Sequence, residues 1–450
     1  MAKVVLSKKS CAVNPLKMSQ PIGGALAFLG IENTMPVLHG SQGCTAFGMV
    51  LFVRHFRESI PLQTTAMSEA ATILGGFENI EQGILNIKKR ANPKLIGICS
   101  TGLTETKGDD VSGYLNLVRQ RHPEIADTAL VYVSTPDFTG AFQDGFGAAA
   151  KAIAEELVSK SPQEKFPGQV NILAGSHLTP ADVEEVKEMA ESFGLVPIVL
   201  PDLSSSLDGH VPEDFSPTSL GGTKLADIAR MGASVHTIVL GEQMLGAAEV
   251  LARLGVSYTL FTHLTGLAAT DGLVALLSHL SGNAVPEKWK RERSRLVDAM
   301  LDGHFFFGKK KVALAAEPDL LFALASFFTD MGAEIHAAVT TTESSLLAQM
   351  PAEEVLIGDL EDFEARAKGA DLLVTHAHGR QASERLGIPL FRAGLPIFDR
   401  LGAAHKLFVG YRGTRNLIFE TGNIFIEHLP HPHPMHHKEG HDSCEEIETC

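Results

Sequence analysis

Short runs of β-branched and apolar residues, each followed by a stretch of helical periodicity, recur along almost the whole chain. That alternation admits few architectures, because two parallel strands need a crossover of a dozen or more residues and a helix is the usual one. It predicts an α/β fold of βαβ units around mostly parallel sheets flanked by helices. Strands are expected at Lys94–Ser100, Ala129–Ser134, Val170–Ala174, Val196–Leu200, His236–Leu240, Tyr258–Phe261, Lys311–Ala316, Glu334–Val339, Glu354–Ile357, Asp371–Thr375 and Pro389–Phe391. Helices are expected at Val111–Gln120, Phe142–Val158, Pro180–Phe193 and Asp319–Met331. A chain of 450 residues exceeds what one core serves, and the pattern separates into three small doubly wound blocks at 1–160, 161–302 and 303–427. Residues 428–450, rich in His, Pro and charge, cannot supply a core and are expected to be a disordered tail.

The net charge of -15 argues against a nucleic-acid partner, whose phosphates call for clustered Lys and Arg. The basic runs Lys88–Arg90 and Lys309–Lys311 are short and read as solvated ends of elements. The first residues carry no apolar core of signal-peptide length, and no stretch approaches the ~20 apolar residues of a membrane span, so a cytoplasmic chain without membrane partners is expected. Cys11, Cys44, Cys99, Cys444 and Cys450 are odd in number and lack CxxC spacing, which fits reduced thiols better than disulfides.

Two nucleotide-motif lookalikes fail on context. Gly145-Phe146-Gly147-Ala148-Ala149-Ala150 falls inside an expected helix, where close packing explains the glycines, and Gly303 to Lys310 precedes a strand instead of following one. The tail histidines His428, His431, His433, His436, His437 and His441 give density without fixed geometry, so adventitious metal affinity is the expectation there. Gly108-Asp109-Asp110, ahead of an expected helix, reads as an N-cap. Arg54-His55-Phe56-Arg57-Glu58 reads as an exposed helix end that offers a docking surface, and Cys99, in an apolar run, as a small buried hydrophobe. Cys44 differs. Gly40 and Gly43 flank it on an expected turn, where close backbone approach and free amides suit an anionic cluster. On pattern alone, packing and metal ligation are evenly balanced for Cys44. With no second cysteine nearby, ligation requires a partner chain to supply most of the donors.

Several motifs in order carry a resemblance. Gln20-Pro21-Ile22-Gly23-Gly24-Ala25, then Thr34 through Cys44, then Arg54 through Glu58 resemble the β side of the nitrogenase component 1 family. Ser100-Thr101-Gly102, Gly108-Asp109-Asp110, Thr135-Pro136-Asp137-Phe138, Ala269-Thr270-Asp271, and His304 through Lys309 to Pro318-Asp319 continue it in family order. The resemblance covers nearly everything except the tail and implies three Rossmann-like domains. In the catalytic β subunit of that family, three cysteines serve the P-cluster from positions that correspond to Ser19, Cys44 and Gly102 here, and a Ser stands where this chain has Asp137. Only Cys44 retains sulfur, and Gly102 offers no side-chain donor at all, so a full P-cluster is not expected.

This pattern is similar to the β-like subunits of the scaffold on which the nitrogenase iron-molybdenum cofactor matures. For such a subunit the resemblance implies an α2β2 heterotetramer with an α-like partner, NifE. It also implies one Cys ligand, Cys44, to an interface 4Fe-4S cluster. A cofactor precursor from NifB is held mainly by the partner, and the nitrogenase iron protein docks, with Arg54, His55, Arg57 and Glu58 as candidates. Independent catalysis is not implied. The alternatives are the catalytic β subunit of nitrogenase, that of dark protochlorophyllide reductase, and a vanadium-system scaffold homologue.

Overall fold

In the computed structural model, which describes residues 1–161 and 163–429, three all-parallel sheets stand in series with helices on their faces. The first has the order Gln63–Thr64, Thr34–His39, Leu95–Ser100, Ala129–Val133. The second runs Val196–Leu200, Gln169–Ala174, His236–Leu240, Tyr258–Phe261. The third runs Lys3–Leu6, Glu354–Ile357, Glu334–Thr340, Lys311–Ala315, Leu372–Thr375, Leu390–Arg392.

Side chains alternate across a strand, so each sheet presents two apolar faces, and four hydrophobic clusters serve the three sheets. Met35, Val37, Ile96 and Ile98 face outward from the first sheet into their own cluster. On its other face Leu38, Leu95, Cys99 and Val131 share a cluster with Leu173, Ile198 and Val239 of the second sheet. Val170, Ile172 and Ile238, on the opposite pleat of the second sheet, join Val312, Leu314 and Val374 of the third. Ala313, Ala315 and Leu373 then face the last cluster. The sheets are thus bonded through shared cores, and the junctions between them are interior.

Most expected elements are present with ends shifted by a residue or two. Two departures matter. Lys3–Leu6, assigned with residues 1–160 to the first block, pairs in parallel with Glu354–Ile357 at the edge of the third sheet. The stretch expected as a glycine-flanked turn around Cys44 is the first turn of a helix, Gln42–Phe56. The helix Gly410–Glu427 ends the described chain, with His428 at its C-cap, its Nδ1 2.8 Å from the Ile424 carbonyl. The expectation of a disordered tail, together with Cys444 and Cys450, falls outside the described residues.

Candidate metal-ligand site

From Thr34–His39 the chain moves outward to Gln63–Thr64, then crosses to the other side at Leu95–Ser100. Connections leaving neighbouring strands in opposite directions open a crevice beyond their carboxyl ends, the usual ligand position in a parallel sheet. Cys44 follows the first of those strands and Gly102 the second.

Hydrogen bonds tie the rim of this crevice together. The hydroxyls of Thr101 and Thr104 donate to the His39 carbonyl at 2.9 and 3.2 Å. Gly40 is compelled by that approach, since a Cβ there would lie 2.4 Å from Thr101 Oγ1. The Gly102 amide donates to Asp137 Oδ2 at 3.0 Å, and Thr135 Oγ1 donates to the Ser100 carbonyl at 2.7 Å. Gln20 Nε2 donates to the Thr139 carbonyl at 2.8 Å, which draws in Ser19, the N-cap of the helix Gln20–Leu29. All four positions singled out by resemblance, Ser19, Cys44, Gly102 and Asp137, therefore belong to segments gathered at one edge of the first sheet.

Cys44 is an exposed free thiol in the first turn of its helix. Ser41 stands at the N-cap, yet its side chain makes no capping bond and lies 3.6 Å from Cys44 Sγ. The amides of that turn and the positive end of the helix dipole favour negative charge at this spot. Asp137 Oδ1 is buried without a hydrogen-bond partner, on the same rim. Among the described residues no group of three or more His, Cys, Asp or Glu is arranged to hold a metal ion. One exposed thiol is what this surface offers.

The surroundings are apolar. Phe47, Val50 and Val53 lie exposed along the same helix, Phe47 with 81% of its surface open, and Phe138 on the Asp137 loop is exposed as well. A soluble chain rarely presents large apolar side chains in such a group unless a partner covers them.

Beneath the loop runs a polar chain that sequence reasoning missed. Thr65 Oγ1 accepts the Gly40 amide at 3.2 Å and shares a hydrogen bond with His39 Nδ1 at 2.8 Å. Nε2 of the same ring lies 3.6 Å from Asp109 Oδ2, while Lys107 holds the other oxygen at 3.1 Å. Burial holds the imidazole pKa well below its ordinary value, against the pull of Asp109. The capping role expected of the Asp pair belongs to Asp110, which accepts the Gly113 amide at 2.9 Å.

The other end of the helix holds Arg54, His55, Arg57 and Glu58, about 15 Å from Cys44 at 1.5 Å per residue. The Arg54 guanidinium lies 4.3 Å over the Phe398 ring, and Arg57 Nη2 donates to the Phe398 carbonyl at 3.0 Å. The Ile397 amide donates to His55 Nδ1 at 2.9 Å, and the Gly209 amide to Glu58 Oε1 at 2.8 Å. Arg54 and Arg57 are exposed, but His55 is half-buried, with its pKa lowered to about 4 by burial. An exposed helix end is therefore only part of the description, since all four side chains reach residues far away in sequence.

Comparison with known proteins gives a consistent set of relatives. The family model for nitrogenase component 1 type oxidoreductases matches residues 19–426. The nitrogenase iron-molybdenum cofactor biosynthesis protein NifN of Bradyrhizobium diazoefficiens is 56% identical over 95% of this chain and 92% of its own length. The NifN proteins of a Nostoc species and of Klebsiella pneumoniae are 52% and 40% identical, over 95% and 97% of this chain and 96% of each relative. Among solved structures, nitrogenase Cp1 at pH 6.5 superposes with a TM-score of 0.88 at 31% identity, covering 94% of this chain and 95% of that one.

Proposed function

Because the chain belongs to the nitrogenase component 1 family, we propose that it is a subunit of the scaffold on which the nitrogenase iron-molybdenum cofactor is assembled, with no independent catalysis of its own. Its relatives named as cofactor biosynthesis proteins support the scaffold role. In this reading Cys44 gives one thiolate to a 4Fe-4S cluster shared with an α-like NifE partner in an α2β2 heterotetramer. When bound, such a cluster supplies one-electron transfer. The complex works in the cytoplasm. Among the described residues no helix is long and apolar enough to cross a membrane.

The observation that carries the proposal is the crevice rim itself. Ser19, Gly102 and Asp137 are drawn into the same edge as Cys44, and none of them brings a sulfur. The positive helix end favours the charge of a cluster, and the exposed Phe47, Val50, Val53 and Phe138 provide the apolar margin that a covering partner would bury. The cofactor precursor, delivered by NifB, rests mainly on the partner. Docking of the nitrogenase iron protein falls to the segment of Arg54, His55, Arg57 and Glu58, in which the two arginines are the exposed members.

The test is anaerobic isolation of the complex formed by co-expression with a NifE partner, with iron, sulfide and the electron paramagnetic signal measured for wild type and Cys44→Ala. About four irons per heterodimer are expected in the wild type, with loss or distortion of the signal in the variant. About eight irons, or reduction of protochlorophyllide, would instead assign the chain to one of the catalytic β subunits.

A further inference from the structure

The crevice geometry that locates Cys44 repeats in the other two sheets. In the second, the chain leaves Gln169–Ala174 for Val196–Leu200 on one side and then crosses to His236–Leu240 on the other, so its crevice opens at Gly175–His177. In the third, Lys311–Ala315 is followed by strands on one side and then by Leu372–Thr375 on the other, so its crevice opens at Glu317. These two crevices meet. His177 and Glu317 line one cavity between the sheets, and about 70 Å3 of it is open to the centre of a water-sized molecule. On that measure one water needs roughly 10–15 Å3, so the space holds about five non-hydrogen atoms. His55, Phe56 and Ala403 line it too, and the same three residues line an open surface groove, which gives a way in.

The walls turn away charge of either sign. No Lys or Arg is among the lining residues. Three long helices begin at the wall, Phe142–Leu157, Pro180–Ser192 and Pro318–Asp330, but acceptors from within the chain already stand at their starts. The Gln143 amide donates to Glu317 Oε2 at 3.2 Å, the Asp182 amide to Thr179 Oγ1 at 3.0 Å, and the Asp319 amide to Gln143 Oε1 at 3.1 Å. An anion finds no base there. A cation fares no better, because Asp144, Asp182 and Asp319 lie outside the lining and accept the amides of Ala141, Phe408 and Gln243 at 2.6, 2.6 and 3.3 Å. Glu317 is the one carboxylate that lines the space, and a single acid does not replace the water an ion must shed.

What remains is hydrocarbon. Met18, Leu26, Phe142, Leu178, Leu203 and Leu320 make most of the lining apolar. Its polar side chains are largely spent on protein partners: His55 Nδ1 accepts the Ile397 amide at 2.9 Å, Ser176 Oγ donates to Gln243 Oε1 at 2.8 Å, and Thr179 Oγ1 donates to the Lys406 carbonyl at 2.6 Å. Among the lining residues only His177 keeps a buried side-chain atom, Nδ1, without a partner. A water needs about two to four polar partners to settle, so water here is weakly held and an apolar solute displaces it favourably.

We propose that this cavity binds a small uncharged molecule of mainly apolar surface, up to about five non-hydrogen atoms in size, held by contact with Leu26, Phe142, Leu203 and Leu320. The site is separate from the Cys44 crevice and stands or falls independently of the cluster assignment.

Three probes of matched size, n-butanol, propionate and n-butylammonium, separate charge from shape, and xenon tests the apolar space directly. Binding to the full-length chain in complex with its partner is read at pH 7 by saturation-transfer NMR, and xenon by its chemical shift. Saturable n-butanol binding is expected, at least tenfold stronger than that of either ion and displaced by xenon. Leu203→Phe, which fills the space, should abolish it, and circular dichroism of the variant checks folding. Absence of saturable n-butanol binding leaves water as the occupant and overturns the proposal. So do failure of xenon to displace n-butanol, binding of either ion as strong as that of n-butanol, and survival of binding in a folded Leu203→Phe. Where that variant misfolds, the wild-type comparison of the three probes with xenon still decides.

Discussion

Among single residues, the glycines discriminate most sharply between space that is required and space that is incidental. A Cβ on Gly23 would lie 1.9 Å from the Phe142 carbonyl oxygen, and one on Gly145 would lie 2.0 Å from that of Gln20. The helices Gln20–Leu29 and Phe142–Leu157 touch through their backbones there, which disposes of the nucleotide lookalike around Gly145. Gly23→Ala should therefore destabilise by about 1–3 kcal/mol through overpacking, seen as a lower midpoint in chemical denaturation. Because that contact holds Gln20 beside the Thr139 loop, the same variant should also loosen the Ser19 side of the crevice. Cys99 was legible as a packing residue from its apolar run, and it is fully buried with its thiol pKa pushed up by burial. Cys44 was not decided by pattern, because helix-start and turn signals around Gly40 and Gly43 look alike until the neighbouring strand ends are placed.

Among the secondary-structure elements, the helix Gln42–Phe56 carries a proposed site at each of its two ends. Its first turn presents Cys44, and its last turn reaches Phe398, Ile397 and Gly209. Exposed ionic contacts contribute little, whereas a cation over an aromatic face and hydrogen bonds to backbone contribute about 1 kcal/mol each. Arg57→Ala should lower the unfolding midpoint measurably by removing its bond to the Phe398 carbonyl. Iron content of the complex should stay at the wild-type level, since the change lies about 20 Å along the helix from Cys44. Loss of iron in Arg57→Ala, measured alongside thermal unfolding, would contradict this separation. The strands Thr34–His39 and Lys3–Leu6 escaped sequence reading for different reasons. The first contains Pro36 and runs straight into a glycine-rich segment, which reads as a loop. The second is four residues long and is a strand only because Glu354–Ile357 lies beside it, a partner about 350 residues away.

Across the molecule as a whole, βαβ alternation was legible because it depends on local periodicity, and the order of motifs carried the family. The shared cores were not legible. Alternating faces such as Val170, Leu173 and Ile172 are equally apolar, and nothing in a single sequence says which sheet each face meets. The same limit hid a cavity between the sheets, lined among others by His55, His177 and Glu317 from three separate stretches of chain. What unifies the molecule is a single rule applied three times: reversal of strand order opens a crevice at the carboxyl edge. In the first sheet the crevice faces outward with an apolar margin and one thiol, while in the other two the crevices turn inward upon each other. In the proposed function the outward thiol is a ligand to iron held between two chains, and the rest of that role depends on the bond. Selenocysteine placed at position 44, followed by selenium-edge X-ray absorption of the anaerobic complex, reads the neighbours of that one atom. A resolved shell of iron around selenium is expected; a spectrum containing only light-atom neighbours in an iron-loaded complex would contradict the assignment.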